Sequence, residues 1–107
     1  MLKIKDSNIF LTRGDSASLK IKVKDIEGKD FIFTEDFKLV FSVKKNISDK
    51  YLTIQKEVQN SINIEIVPED TKQLAFGEYY FDIELQMNNK IFTIITPHKF
   101  IICEEVS

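Results

Sequence analysis

The chain has 107 residues, of which 43% are hydrophobic and 30% charged, with a formal net charge of −2. That length fits a single domain over residues 1–107, and the weakly acidic balance disfavours nucleic acid as the main partner. One cysteine, Cys103, excludes an intramolecular disulfide, and no apolar run approaches the ~20 residues of a membrane-spanning helix.

The opening segment Met1–Asp6 lacks a long apolar stretch and a small-residue cleavage site, so no secretory signal is expected there. A short strand is expected over Ile9–Thr12, followed by a turn at Arg13-Gly14-Asp15-Ser16. From Ala17 to Val23 the alternation is strict: Ala17, Leu19, Ile21 and Val23 fall on one face, and Ser18, Lys20, Lys22 and Lys24 on the other. A period of two is the signature of a strand with one face on a core and one in water. Lysines on the wet face also deter edge-to-edge pairing where such a strand lies at a sheet edge.

Glu27-Gly28 marks the next reversal, since glycine accepts positive φ. A long loop carrying Phe31-Ile32-Phe33 and Phe37 leads to a strand in which Leu39, Phe41 and Val43 alternate with Lys38, Ser42 and Lys44. A shorter strand is predicted over Leu52–Val58, and another where Ile62, Ile64 and Ile66 alternate with Asn63, Glu65 and Val67. Pro68–Leu74 reads instead as one helical turn: proline at the first helical position, acids near the N-terminal end and Gly77 to close it. Leu74 and Phe76 are expected to plug the end of the core.

Tyr79, Phe81, Ile83, Leu85 and Met87 then alternate with Tyr80, Asp82, Glu84 and Gln86. Asn88-Asn89 suits a two-residue hairpin, and two last strands are predicted at Ile91–Thr96 and Lys99–Cys103. Seven or eight short strands in about 100 residues predict an all-β fold, a two-sheet antiparallel β-sandwich of about seven strands with one short helical turn.

Motifs for chemistry are sparse. The only histidine, His98, has no nucleophile or orienting carboxylate placed by any motif. One cysteine, one histidine and scattered acids do not form a zinc set, and Glu69-Asp70 lacks calcium-loop spacing. No catalytic, metal or cofactor-binding residue is therefore expected. Arg13-Gly14-Asp15 matches a tripeptide read by integrins, but its residues are also those of an ordinary turn. Asn46-Ile47-Ser48 matches a glycosylation triplet, which needs a secretory pathway. Lys44-Lys45 is too short for a nucleic-acid footprint.

Two features point to protein contact. Residues 1–50 hold eleven basic and eight acidic side chains, net +3, and residues 51–107 hold four and nine, net −5. Such a dipolar chain favours head-to-tail attraction. Ile91, Phe92, Ile94 and Ile95 also put apolar groups on both faces of one strand, with Tyr80 outward on its neighbour. A strand apolar on both faces is covered on both. Either the Phe31–Phe37 loop folds over it, or Tyr80, Ile91, Phe92 and Ile95 form a partner interface.

Leu11-Thr12-Arg13-Gly14-Asp15-Ser16-Ala17, Val67-Pro68-Glu69-Asp70-Thr71 and Gly77-Glu78-Tyr79-Tyr80-Phe81-Asp82-Ile83-Glu84-Leu85 occur in that order. With the closing Thr93–Phe100 stretch, they make the chain similar to short phage and prophage tail proteins of Gram-positive bacteria. In particular it resembles the N-terminal domain of baseplate upper proteins, over nearly its whole length. The resemblance implies an immunoglobulin-like sandwich and a non-enzymatic structural or adaptor role. It implies other phage structural proteins, or further copies, as partners, without nucleic acid or membrane. It also implies a location in the bacterial host cytoplasm during assembly and then in the virion tail or baseplate. The long C-terminal extension of the larger members is lacking. The alternative function on the same fold is a carbohydrate- or host-surface-binding module, for which the absence of tryptophan is unfavourable.

Overall fold

The computed structural model describes residues 1–104. The chain is all-β apart from one helical turn. Its elements are β1 (Leu2–Lys5), β2 (Asn8–Thr12), β3 (Ala17–Lys20), β4 (Phe37–Lys44), β5 (Ile54–Gln59), β6 (Asn63–Ile66), α1 (Pro68–Thr71), β7 (Gly77–Met87) and β8 (Lys90–Cys103). A six-stranded sheet has the order β1-β2-β8-β7-β4-β5, and β3 pairs with β6 in a second, two-stranded sheet.

The core lies between the two sheets. Leu11, Leu39, Phe41, Val43, Phe81, Ile83, Phe100 and Ile102 of the large sheet meet Leu19, Ile64 and Ile66 of the small one in a single apolar cluster. These are the inward members of the alternating runs, and Phe41 packs its ring 5.6 Å from Phe81 and 6.0 Å from Phe100. Aromatic rings at such separations supply much of the area a small core must bury.

Four features depart from the sequence-based expectations. Leu2–Lys5 forms a strand where none was assigned, turned into β2 by Asp6 and Ser7, both at positive φ (52° and 65°). Two such residues make the hairpin turn whose twist matches its strands, without the glycine that usually announces it. The strands foreseen at Ile91–Thr96 and Lys99–Cys103 are one fourteen-residue strand, β8. Two register shifts against β7, between Phe81 and Ile83 and between Ile83 and Glu84, absorb the extra residues, one at Thr96–Pro97 and one at Ile94. Proline is tolerated there because β2 pairs only with Phe100–Cys103, leaving the earlier half of β8 as an edge.

The third departure is that the large sheet is mixed rather than wholly antiparallel, because β2 runs parallel to β8. These strands lie at opposite ends of the described chain, so no short hairpin forces antiparallel pairing. The fourth is Phe76. Leu74 packs against the core as expected, but Phe76 sits at the surface beneath the Arg13 guanidinium, 4.0 Å from the ring centroid.

The helical turn ties the two sheets together. Asp70 accepts the Val67 N–H at 2.8 Å and pairs with Lys56 of β5 at 2.8 Å. Thr71 is fully buried, and its hydroxyl accepts the Gly14 N–H at 2.8 Å. Just beyond, Tyr79 buries its ring at the start of β7 and donates its hydroxyl to the Ala75 carbonyl at 3.0 Å. The ring is buried while the polar tip finds a backbone partner, as buried tyrosine requires.

Candidate interaction surfaces

The four residues singled out for partner contact occupy three different places. Register along β7 explains why. Tyr80 is opposite Lys44 and Lys99, Gln86 is opposite Ile91, and Leu85 is opposite Phe92. Tyr80 and Ile91 thus share the outer face but stand six residues apart along the sheet, about 20 Å. Phe92 falls on the inner side with Leu85, and Ile95 falls there with Ile83. Phe92 and Ile95 therefore share the inner face, away from Tyr80 and Ile91.

The hairpin end of β8 remains open. Ile91 is 64% exposed and Phe92 45%. The aromatic loop ends beside that hairpin, with Phe37 opposite Met87 and lining one depression with Lys90 and Ile91, yet it leaves Ile91 and Phe92 exposed. Phe33 stacks on Phe37 at 3.7 Å, and Phe31 and Phe33 line a second depression with Ile21, Val23 and Ile62. This loop closes the end of the core where β3 and β6 stop.

Across the outer face of β5, β4 and β7 runs a shallow polar depression of about 270 Å³. Ser42, Gln55, Glu57, Tyr80, Asp82 and Glu84 line it, with Ile47 and Leu52 from the β4–β5 connection. Val40 lies on this face, only 4% exposed and outside the core cluster. Partial burial raises Asp82 above the usual carboxylate value, against the opposing pull of Lys44.

The remaining motifs are structurally engaged. Arg13 reaches the Leu74 carbonyl at 3.3 Å while covering Phe76, Gly14 is held by Thr71, and Asp15 pairs with the chain's amino terminus. The tripeptide is therefore a packed turn and not a presented loop. His98 lies beside Phe81, and its Nδ1 stands 2.6 Å from the Thr96 carbonyl, which selects the tautomer protonated at Nδ1. Among the described residues, no three of histidine, cysteine, aspartate and glutamate converge as a metal set.

Sequence reasoning missed Leu2 and Ile4, which are 37% and 58% exposed on the inward-facing side of β1. Their alternation with Lys3 and Lys5 was the available signal, hidden by the shortness of the run. No family model, characterised protein or solved structure matches the chain, so its own surfaces carry the functional reading.

Proposed function

We propose that the chain is a non-enzymatic structural or adaptor module that assembles by protein–protein contact, as its resemblance to phage tail and baseplate proteins implies. The observation that carries this reading is the uncovered hairpin end of β8. Ile91 on the outer face and Phe92 on the inner face are large apolar side chains left in water by their own chain, and such exposed apolar groups mark contact sites. Partners on this reading are other phage structural proteins or further copies, met in the host cytoplasm during assembly and kept in the virion.

The finer form of the fold we infer is immunoglobulin-like. The β8-β7-β4-β5 order corresponds to the G-F-C-C′ order of a variable-type sheet, and β3–β6 to the B–E pair opposite. Tyr79, bonded back to Ala75 at the start of β7, supports this as a tyrosine corner.

Co-expression with the products of neighbouring genes, followed by native mass spectrometry, tests the assignment. The expected result is a defined complex or homo-oligomer that the I91D/F92D double variant loses while keeping its melting temperature. A chain that stays monomeric at every concentration and beside every neighbouring product would overturn it. A second reading, a carbohydrate-binding module, is favoured by the polar outer-face depression, whose amides and carboxylates match sugar hydroxyls. A glycan array without a single binder would dismiss that reading.

A further inference from the structure

A different surface, between the two sheets at the open edge of β3, is built to receive a strand. Among the described residues the small sheet has two members, so β3 has a neighbour on one side. Ala17 is opposite Ile66 and Leu19 is opposite Ile64, and the Ile21 N–H donates to the Ile62 carbonyl at 2.8 Å. In an antiparallel pair, alternate residues turn their backbone groups toward the partner. Ala17, Leu19 and Ile21 therefore face β6, and the backbone N–H and C=O groups of Ser18, Lys20 and Lys22 face away from it.

What they face is an apolar groove of about 370 Å³, running between β3 and the β1–β2 hairpin of the large sheet. Its floor and far wall include Ile4, Ile9, Ile83 and Ile95. Among the described residues β1 also has β2 as its one neighbour, which leaves its other edge unpaired there. Two free edges thus flank one greasy channel.

The rim is cationic. Lys20 and Lys22 are exposed and make no ion pair among the described residues. Lys24 is bound to Asp30, and Lys22 and Lys20 add to the field that holds Asp30 below the usual carboxylate range. Opposite the lysine row, β6 offers only Asn63 to Lys20, and the adjoining Glu65 is taken by Ser18. A second copy pairing edge to edge through β3 would set lysines beside lysines, which is destabilising.

We propose that the β1–β3 groove binds an extended segment of a partner protein, adding it as a third strand beside β3. That segment alternates apolar residues, which fill the channel, with acidic residues, which lie beside Lys20 and Lys22. Strand addition of this kind draws affinity from main-chain hydrogen bonds and selectivity from alternate side chains. The inference goes beyond the β8 hairpin reading and uses none of its exposed residues.

The test is a titration of the intact chain with two seven-residue capped peptides, one alternating valine with glutamate and one alternating valine with lysine. Binding is followed by amide exchange and NMR shifts. The valine–glutamate peptide is expected to bind and to protect the Ser18, Lys20 and Lys22 amides, and the valine–lysine peptide to bind on the order of tenfold more weakly. In the K20E/K22E variant, whose two positions are exposed, the preference is expected to reverse. Absence of binding, binding that leaves the Lys20 and Lys22 amides unprotected, or an unchanged preference in the variant would each overturn the proposal. Concentration-dependent protection of those amides without peptide would also overturn it, by giving the edge to a second copy. Each of these failures leaves the Ile91 and Phe92 assignment standing, since that assignment is read on a different variant.

Discussion

The two ends of β8 are similarly apolar in sequence and are treated oppositely by the fold. Over Phe100–Cys103 the strand has β7 on one side and β2 on the other, and Phe100 and Ile102 are essentially without solvent contact. Over Lys90–Ile95 it has β7 alone, and Ile91 and Phe92 stand in water. Hydrophobicity is the same; what differs is whether a neighbouring strand and the opposite sheet reach that far. An apolar residue is core only where the architecture covers it, and uncovered it becomes available for a partner.

Mutations at the covered end should break this contrast most visibly. Phe100→Ala is expected to destabilise the chain by about 3–5 kcal/mol in urea unfolding, through lost burial and a cavity beside Phe41. Thr71→Val, which removes the acceptor of the Gly14 N–H in a fully buried position, should cost about 2 kcal/mol in the same measurement. Tyr79→Phe, across from Phe100, deletes only the bond to Ala75 and should cost about 1 kcal/mol. At the open end, Phe92→Ala should cost less than about 1 kcal/mol, since nearly half of that side chain is already solvated. A Phe92→Ala loss matching that of Phe100→Ala would erase the distinction.

The smallest effect belongs to Asp82, which sits on the outer face where the first register shift separates the two halves. Its carboxyl is raised by desolvation, so the folded chain holds that proton more tightly than the unfolded one. Its contribution is therefore favourable below the ordinary aspartate value of about 3.8 and is lost as pH rises through the folded value. Asp82→Asn should raise the melting temperature slightly near neutral pH, and the gain should vanish below the ordinary aspartate value. A gain that persisted in acid would place the cause in packing.

Much of the fold was legible because its signals are local. The alternations of Ala17–Val23, Leu39–Val43, Ile62–Ile66 and Tyr79–Met87 became strand or extended edge, although β3 itself ends at Lys20. Asn88 and Asn89 take positive φ at the hairpin, as their chemistry allows. Pro68, Asp70 and Thr71 made the helical turn. What stayed hidden depends on distant partners: the parallel β2–β8 pairing, the fusion of two strands into β8, and the restriction of the second sheet to two strands. The contact residues fared worse. Tyr80, Ile91, Phe92 and Ile95 look like one patch in sequence, but alternation and the bulges divide them between the two faces of the sheet, with Tyr80 and Ile91 far apart on one of them. Phe76 looked like core and became a platform for Arg13, a cation–π contact that no period reveals.

The parallel β2–β8 ladder also orders events during folding. The β1–β2 hairpin joins the large sheet only through β8, and its pairing of Ile9 with Phe100 closes a loop of about 90 residues, a slow, entropically costly step. Until β8 emerges from the ribosome, the hairpin has no sheet to join and the β8-facing edge of β7 lies bare. From the synthesis of β2 until that of β8, about 90 residues later, the nascent chain therefore carries an unpaired β2 edge, and that interval is when chaperones or premature partners would meet it.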